Sequence, residues 1–459
     1  MTKYVLAGCF GSGDAEAYGL VEAKDEQLKF LDFLVGEKSL RFGIGSAISQ
    51  LSKLNIYPSE IALDLLMLAI MVQAADTRLN RIQTSQDAWT REIKIIVPVS
   101  DTDLWSRSTD VLERMLRFLT GDLWQVEFRA RPEKFKNLIK IKLLSPQDYD
   151  GVSLFSGGLD SLVGAIDSLE SGTLPLFVSH AGEGAVSSPQ TAVFEKLKKE
   201  YSAKQIHRLR FPSARFPKNL FPGVGTENST RGRSFLFFAL AAFAGSGLKK
   251  SFDLRVPENG LIALNVPLDP TRLGSLSTRT THPYYIHRWN ELLQTLNIPG
   301  SIFNPYWNRT KGEMVAECQN QKFLKSVVAS SVSCAHPSAG RYHGGTMDHH
   351  CGHCVPCIIR RAATQYAWKP GEDKTSYILS DMHERALNSK KAEGVQIRAY
   401  QYAIANLNNK PNSAHALVHK PGPLLEDIRI LNDLVSVYKR GMKEVESFLD
   451  GVETAPLNT

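Results

Sequence analysis

Three groups of residues in this chain have types and spacings that do chemistry. The first lies in Val152 to Gly164 (VSLFSGGLDSLVG), where an apolar run leads into Ser156-Gly157-Gly158-Leu159-Asp160-Ser161 and a helical pattern follows. Adjacent glycines let backbone amides come close to a ligand and take dihedrals closed to other residues. The helix that follows adds unpaired N–H groups and a positive dipole end, so the segment reads as an anion cradle. Ser156 and Ser161 can add hydroxyl donors, and Asp160 suits holding the loop or facing a bound magnesium. The candidate anion-binding stretch runs from Phe155 to Ser161. No Gly-Lys-Ser/Thr follows it, so it is not a Walker loop, nor is it G-x-G-x-x-G. A second glycine-rich string, Gly8-Cys9-Phe10-Gly11-Ser12-Gly13, lacks a long preceding strand and a proper following helix, and reads as a plain turn.

The second group is Cys334, Cys351, Cys354 and Cys357, four of the six cysteines within 24 residues. Four thiolates are what a tetrahedral structural zinc requires, and an iron–sulfur cluster is the rival metal. With four thiolates in hand, His343, His349, His350 and His353 read as loop residues rather than ligands. Six cysteines in a chain of this length do not make a disulfide scaffold, and clustered thiols without a secretory signal suggest a reduced compartment.

The third group is basic and polar. Arg231 and Arg233 precede an apolar helix, where two cations oppose the helix dipole and call for an anionic partner. Thr310 and Glu313 form a capping box, which places Lys311 in a first turn where a phosphate would offset its charge. Glu258 and Asn259 stand at the end of an expected strand, which is where open parallel sheets bind ligands. Thr278, Arg279, Thr280, Thr281 and His282 suit recognition of a polar, planar, carboxylate-bearing base.

Taken together, the SGGLDS loop, Ser333-Cys334 and Cys351-Gly352-His353-Cys354-Val355-Pro356-Cys357 resemble the QueC family of PP-loop ATP pyrophosphatases, the 7-cyano-7-deazaguanine synthases, over about Val152 to Ala363. The gap between the first two cysteines is longer here than is usual in that family. The chain also has Ser179-His180-Ala181-Gly182 where Tyr-Gly-Gln is usual. Val256 to Gly260, Leu264 to Leu268, the 277–283 segment and the two extensions resemble more closely the QatC branch, the QueC-like component of bacterial Qat anti-phage systems. Asp87 to Arg91 and Leu119 to Trp124 add to that likeness. The resemblance implies an adenine nucleotide alpha hydrolase-like fold, ATP and magnesium at the loop, zinc at the cysteines, and adenylation of a deazapurine carboxylate. It further implies Asp160, Ser161, Arg231, Arg233 and Lys311 as the catalytic set. The acceptor is ammonia or, given two extensions without visible chemistry, an amine on a protein partner from the same operon. Rival readings are a tRNA-modifying PP-loop enzyme and a nucleotide-sensing scaffold.

The elements that must position these groups follow from pattern. Val152 to Phe155, Leu174 to Val178, Ile206 to Phe211 and Leu261 to Leu264 are short apolar strands alternating with helices, which argues for a doubly wound parallel α/β sheet over residues 149–365. Residues 1–148 mix helix signals (Glu60 to Leu79, Thr109 to Leu119) with strand signals (Arg91 to Val99, Trp124 to Arg129) and read as an α+β docking extension. Residues 366–459 read as helical, with Glu426 to Leu449 a long amphipathic segment and Glu453 to Thr459 frayed. The 459 residues carry 43% hydrophobic and 22% charged side chains, ordinary globular values that exclude a disordered or fibrous chain. A net charge of +7 without a basic block gives no nucleic-acid arm. Ile61 to Ala75 and Ser234 to Leu248 are too short or too polar for membrane spans and read as buried helices, so a cytoplasmic protein is expected.

Overall fold

Parallel strands are buried on both faces by their crossover helices, so their sequences must be apolar throughout rather than alternating. Lys3–Cys9, Gly151–Leu154 and Leu176–His180 are of that kind, whereas Leu123–Ala130 and Arg208–Phe211, at sheet edges, alternate between buried and more exposed positions. The computed structural model describes residues 3–457 apart from 18, 20–21, 37–38, 143–147, 182–183, 249, 270–278, 338–349 and 425–427. The N-terminal part runs β1 (Lys3–Cys9), α1 (Ser12–Ala17), β2 (Glu26–Asp32), the hairpin strands β3 (Leu34–Val35) and β4 (Ser39–Leu40), α2 (Ile44–Ser52), α3 (Glu60–Arg78) and α4 (Arg81–Thr84). It continues with β5 (Glu92–Val99), α5 (Thr102–Ser106), α6 (Thr109–Thr120) and β6 (Leu123–Ala130). The main strands form a parallel sheet in the order β2-β1-β5-β6. This corrects the α+β expectation for residues 1–148: the region is itself a parallel α/β layer. Gly8 to Gly13 is likewise preceded by a seven-residue buried strand, although the helix after it has six residues.

The second sheet is built from β7 (Gly151–Leu154), α7 (Leu159–Glu170), β8 (Leu176–His180), α8 (Gly184–Glu200), β9 (Arg208–Phe211), α9 (Arg231–Gly245) and β10 (Phe252–Arg255). Then come α10 (Gly260–Leu264), α11 (Pro283–Thr295), β11 (Gly300–Phe303), α12 (Lys311–Glu317), α13 (Gln321–Val327) and α14 (Val355–Ala367). Its order is β11-β10-β7-β8-β9, all parallel. The chain winds from β7 to β9 on one side and returns to β10 and β11 on the other, so the order reverses between β7 and β10. Helices cover both faces: α7, α8 and α13 share one core with Phe155 and Phe177, and α9 lies on the opposite face. Leu261 to Leu264 is helical rather than a strand, because the Asn259 side chain accepts from Ile262 N and caps α10.

The notional boundary at 148/149 separates two sheets but not two cores. α3 is buried along almost its whole length, with Asp64 and Asp76 included, and packs against α9. One apolar cluster therefore runs from Leu6 and Val97 through Met67 and Ala241 to Leu254. Both apolar stretches weighed as membrane spans are these buried helices. Among the described residues no helix is long and apolar enough to cross a membrane.

The C-terminal part has β12 (Leu387–Asn388), α15 (Ala392–Asn409), α16 (Ser413–Val418), α17 (Ile428–Phe448) and β13 (Thr454–Ala455). Its core joins α14 and α10 through Ile358, Leu261, Val437 and Tyr438. The tail is not frayed throughout: β13 pairs with β12 in parallel.

Candidate active site and metal centre

The SGGLDS loop leaves β7 at the point where the strand order reverses, the place at which open α/β sheets bind ligands. Gly157 has φ +81, and a Cβ there would stand 2.7 Å from the Gln190 backbone, so glycine is required twice over. Ser161 Oγ accepts from Gly157 N at 3.1 Å and donates to Gly158 O at 3.0 Å. Ser156 Oγ lies 3.1 Å from Ser161 Oγ and accepts from Gly158 N at 3.3 Å. From α8, the Gln190 amide braces the loop by donating to the carbonyls of Ser156 and His180, at 3.2 and 3.4 Å. Phe155 and Leu159 are buried beneath the loop in the core of its own sheet.

Asp160, in the first turn of α7, turns away from this hydroxyl ring into a buried polar group. Lys311 Nζ stands 2.9 Å from Asp160 Oδ1, and the Asn259 side chain and backbone amides donate to Oδ2 at 2.8 and 3.2 Å. Burial would raise the Asp160 carboxyl, but Lys311, with Glu258 and Asn259 as donors, holds it below the usual range. Glu258 is pushed well above the usual range by burial and by the neighbouring Asp160 charge. The two shifts are opposite in sign, so Asp160 holds the negative charge more readily than Glu258. Asp160 from α7, Glu258 and Asn259 from the end of β10 and Lys311 from the start of α12, read from the sequence in separate groups, converge here.

Lys311 is positioned by the capping box, which is complete: Glu313 N donates to Thr310 Oγ1 and Thr310 N to Glu313. The C-terminal part adds a layer that was not anticipated. Glu444 of α17 accepts from Thr310 Oγ1 and from Gly312 N at 3.1 Å, and Arg440 bonds Glu313 at 2.6 Å and Asn308 O at 2.8 Å. Burial pushes Glu444 up to about 7.

The four cysteine sulfurs lie within 4.8 Å of one another. Cys334 and Cys354 are 3.9 Å apart, as are Cys351 and Cys357. Zinc–sulfur bonds of about 2.3 Å in a tetrahedron require sulfurs about 3.8 Å apart, so the set fits a metal such as zinc. Backbone N–H groups of Ala335, His336 and Cys351 donate to the sulfurs at 3.3 to 3.4 Å, which favours thiolates. Gly352 has φ +90 and turns the chain so that Cys354 can cap α14. His350 is outside the sulfur set: its Nε2 accepts from Ser333 N at 3.2 Å. His343 and His349 fall outside the described residues.

Arg231 and Arg233 part company. Arg231 donates to Thr120 O at 2.8 Å and lies over the Trp89 ring at 5.1 Å, while Arg81 lies over the same ring at 5.1 Å. Asp76 of α3 accepts from Gly232 N at 2.8 Å and pairs with Arg91, which also pairs with Asp122. The anion that the start of α9 calls for is thus Asp76, and Arg231 is committed to a knot made by the Asp87 to Arg91 and Leu119 to Trp124 strings. Arg233 lies near His180, at the carboxyl end of β8. Burial, and then the Arg233 charge, hold that imidazole neutral, with a pKa of about 3. Among the described residues neither ring nitrogen of His180 has a hydrogen-bond partner.

The 279–282 segment packs between α6 and α9. Arg279 donates to Phe118 O at 3.2 Å, Thr280 Oγ1 lies 2.7 Å from Ser234 Oγ, and His282 Nδ1 caps α11 by accepting from Tyr284 N at 3.2 Å. Thr281 is buried in the same segment. Thr278 lies outside the described residues.

Sequence reasoning passed over Gln190, Glu444 and His180 as site residues. A strand-end position could have flagged His180. Nothing local distinguishes Gln190 or Glu444. No protein-family model matches the chain, and no curated protein matches it.

Proposed function

We propose that the chain is an ATP-dependent, QueC-like enzyme of the PP-loop type, which adenylates a deazapurine carboxylate with release of pyrophosphate. The observation that carries this reading is the Lys311–Asp160 ion pair beside the SGGLDS loop at the reversal point of a parallel sheet. Loop amides and the hydroxyls of Ser156 and Ser161 would hold the β- and γ-phosphates. A carboxylate oxygen of the substrate attacks the α-phosphorus, the bond to the bridging oxygen breaks, and pyrophosphate leaves with that oxygen and its electron pair. Lys311 and Arg233 offset the charge that develops on the departing group. Asp160 and Glu258 are hard oxygen donors suited to magnesium arriving with the triphosphate, whose charge would favour an ionised Glu258. Magnesium would supply charge neutralisation of the phosphates.

The acyl group then passes to an amine: the nitrogen bonds to the carbonyl carbon and loses a proton, and AMP leaves with the oxygen that joined it to the acyl group. In anti-phage defence of the Qat kind that amine is on a protein partner from the same operon. With ammonia, the product is the free amide, which a second adenylation by ATP, on the amide oxygen, carries on to the nitrile of queuosine-type biosynthesis as AMP leaves with that oxygen. Incubation with ATP, 7-carboxy-7-deazaguanine and the operon partner separates these outcomes by intact mass. A partner gaining the mass of the acyl group supports the protein acceptor, and an unmodified partner beside a released nitrile supports ammonia. Absence of pyrophosphate release with any carboxylate would leave a nucleotide-sensing scaffold.

A further inference from the structure

The phosphate loop and the cysteine cluster are bonded to each other through one short segment. Leu159 N, at the start of α7, donates to Ser333 Oγ at 3.1 Å, and Val332 N donates to Gly157 O at 3.1 Å. A Cβ at Gly158 would stand 3.3 Å from Ser156 Oγ and 3.4 Å from Ser333 Oγ, so the two hydroxyls flank the same bare stretch of backbone. Ser333 Oγ accepts from Leu159 and keeps its own proton to donate to an anion.

The segment has no freedom of its own. Ser333 is followed directly by Cys334, and its amide is fixed by His350, the residue before Cys351. His350 is fully buried, with its own backbone bonded to Ser376 O at 3.2 Å and Ile378 N at 2.8 Å. On the other side, Arg360 of α14, the helix that carries Cys357, donates to Ser331 O and Oγ at 3.1 and 3.0 Å. Whatever holds Cys334 against Cys351, Cys354 and Cys357 thereby sets where the Ser333 hydroxyl stands in the loop.

We propose that Ser333 is a positioning and anion-contacting residue shared by the two sites, so that metal at the four thiolates and a di- or triphosphate at the loop each tighten the binding of the other. This rests on the reading that the loop binds phosphates. Linkage makes the effect reciprocal, which a serine serving only as a helix cap would not produce.

The test uses the full chain loaded with zinc. Zinc release to a chromogenic chelator is timed with and without ATP or inorganic pyrophosphate, and ATP binding is measured separately by equilibrium dialysis. Either ligand is expected to slow release by at least about fivefold in the parent protein. The coupling should be lost in Ser333→Ala and restored in Ser333→Thr, both retaining zinc at the parent stoichiometry. ATP that binds while zinc release stays unchanged overturns the coupling but leaves the nucleotide reading standing. Full coupling in Ser333→Ala overturns the assignment to Ser333. Failure of ATP to bind the parent protein removes the nucleotide reading and this proposal with it.

Discussion

Each of the two parallel sheets ends its first strand in a glycine-rich loop where the strand order reverses, yet the loop amides are satisfied in different ways. After β1, Phe10 N donates to Asp14 and Gly11 N to Asp32, both at 2.9 Å, and Arg129 closes the site by pairing with Asp14. The chain's own carboxylates already occupy the anion positions. After β7, the amides of Gly157, Gly158 and Leu159 are held by the hydroxyls of Ser161, Ser156 and Ser333. A neutral hydroxyl can turn to donate to an incoming phosphate, whereas a carboxylate repels it. Glycine spacing therefore makes a loop possible, and the side chains that cap its amides decide whether it takes a ligand.

The largest expected effect would break this contrast outright. Lys311→Ala should reduce carboxylate-dependent pyrophosphate release about a thousandfold, measured with a coupled phosphate assay. An unchanged rate would make the second loop as inert as the first. On the other side, Asp14→Ala strands Arg129 among buried neighbours. It should cost roughly 3 kcal/mol in urea unfolding and leave ATP affinity by equilibrium dialysis unaltered.

Glu444 does for the start of α12 what Asp14 and Asp32 do for the first loop, and it has a pH signature. Its folded pKa of about 7 lies above the ordinary glutamate value, so the folded state binds the proton more tightly than the unfolded chain. This contribution to stability is full below the unfolded pKa and is lost as pH rises to 7, amounting to about 2 to 3 kcal/mol. Glu444→Gln should flatten that part of the profile of urea midpoint against pH; an unaltered slope would assign it to another group.

The smallest effect compares the glycines themselves. Gly11 and Gly157 share positive φ, but among the described residues a Cβ at Gly11 meets nothing within 4 Å. Gly11→Ala should cost about 1 kcal/mol of backbone strain and no activity. Gly157→Ala should lose ATP binding as well, because its Cβ meets Gln190. Equal ATP affinities in the two variants would contradict the difference drawn between the loops.

How far the sequence reaches follows the same physics. α3, β5, α6, β6, β7 and the Thr310 capping box were legible because each is encoded by local periodicity or adjacent cap residues. The four sulfurs were legible because metal ligation demands a residue type. β1 was missed through its neighbour: a six-residue helix after it left no periodic pattern to read. Leu261 to Leu264 misled because a short apolar run has the same composition as a strand or a buried helix, and the capping oxygen of Asn259 decided the matter. Arg231 and Arg233 sit two residues apart in sequence, but on a helix two positions diverge by about 200°. One arginine serves the Trp89 knot and the other stands by His180 at the carboxyl end of β8. Glu444 and Ser333 act across long stretches of chain, and no local pattern announces such partners.

The apolar girth of α3 has a consequence for how the protein is made. Its natural cover is α9, which leaves the ribosome about 150 residues later. At ~5–20 residues per second, α3 waits roughly 10 to 30 s with that side bare. The first sheet cannot complete its core in that interval, and the nascent chain carries bare apolar surface, open to misassociation, until Gly245 has emerged.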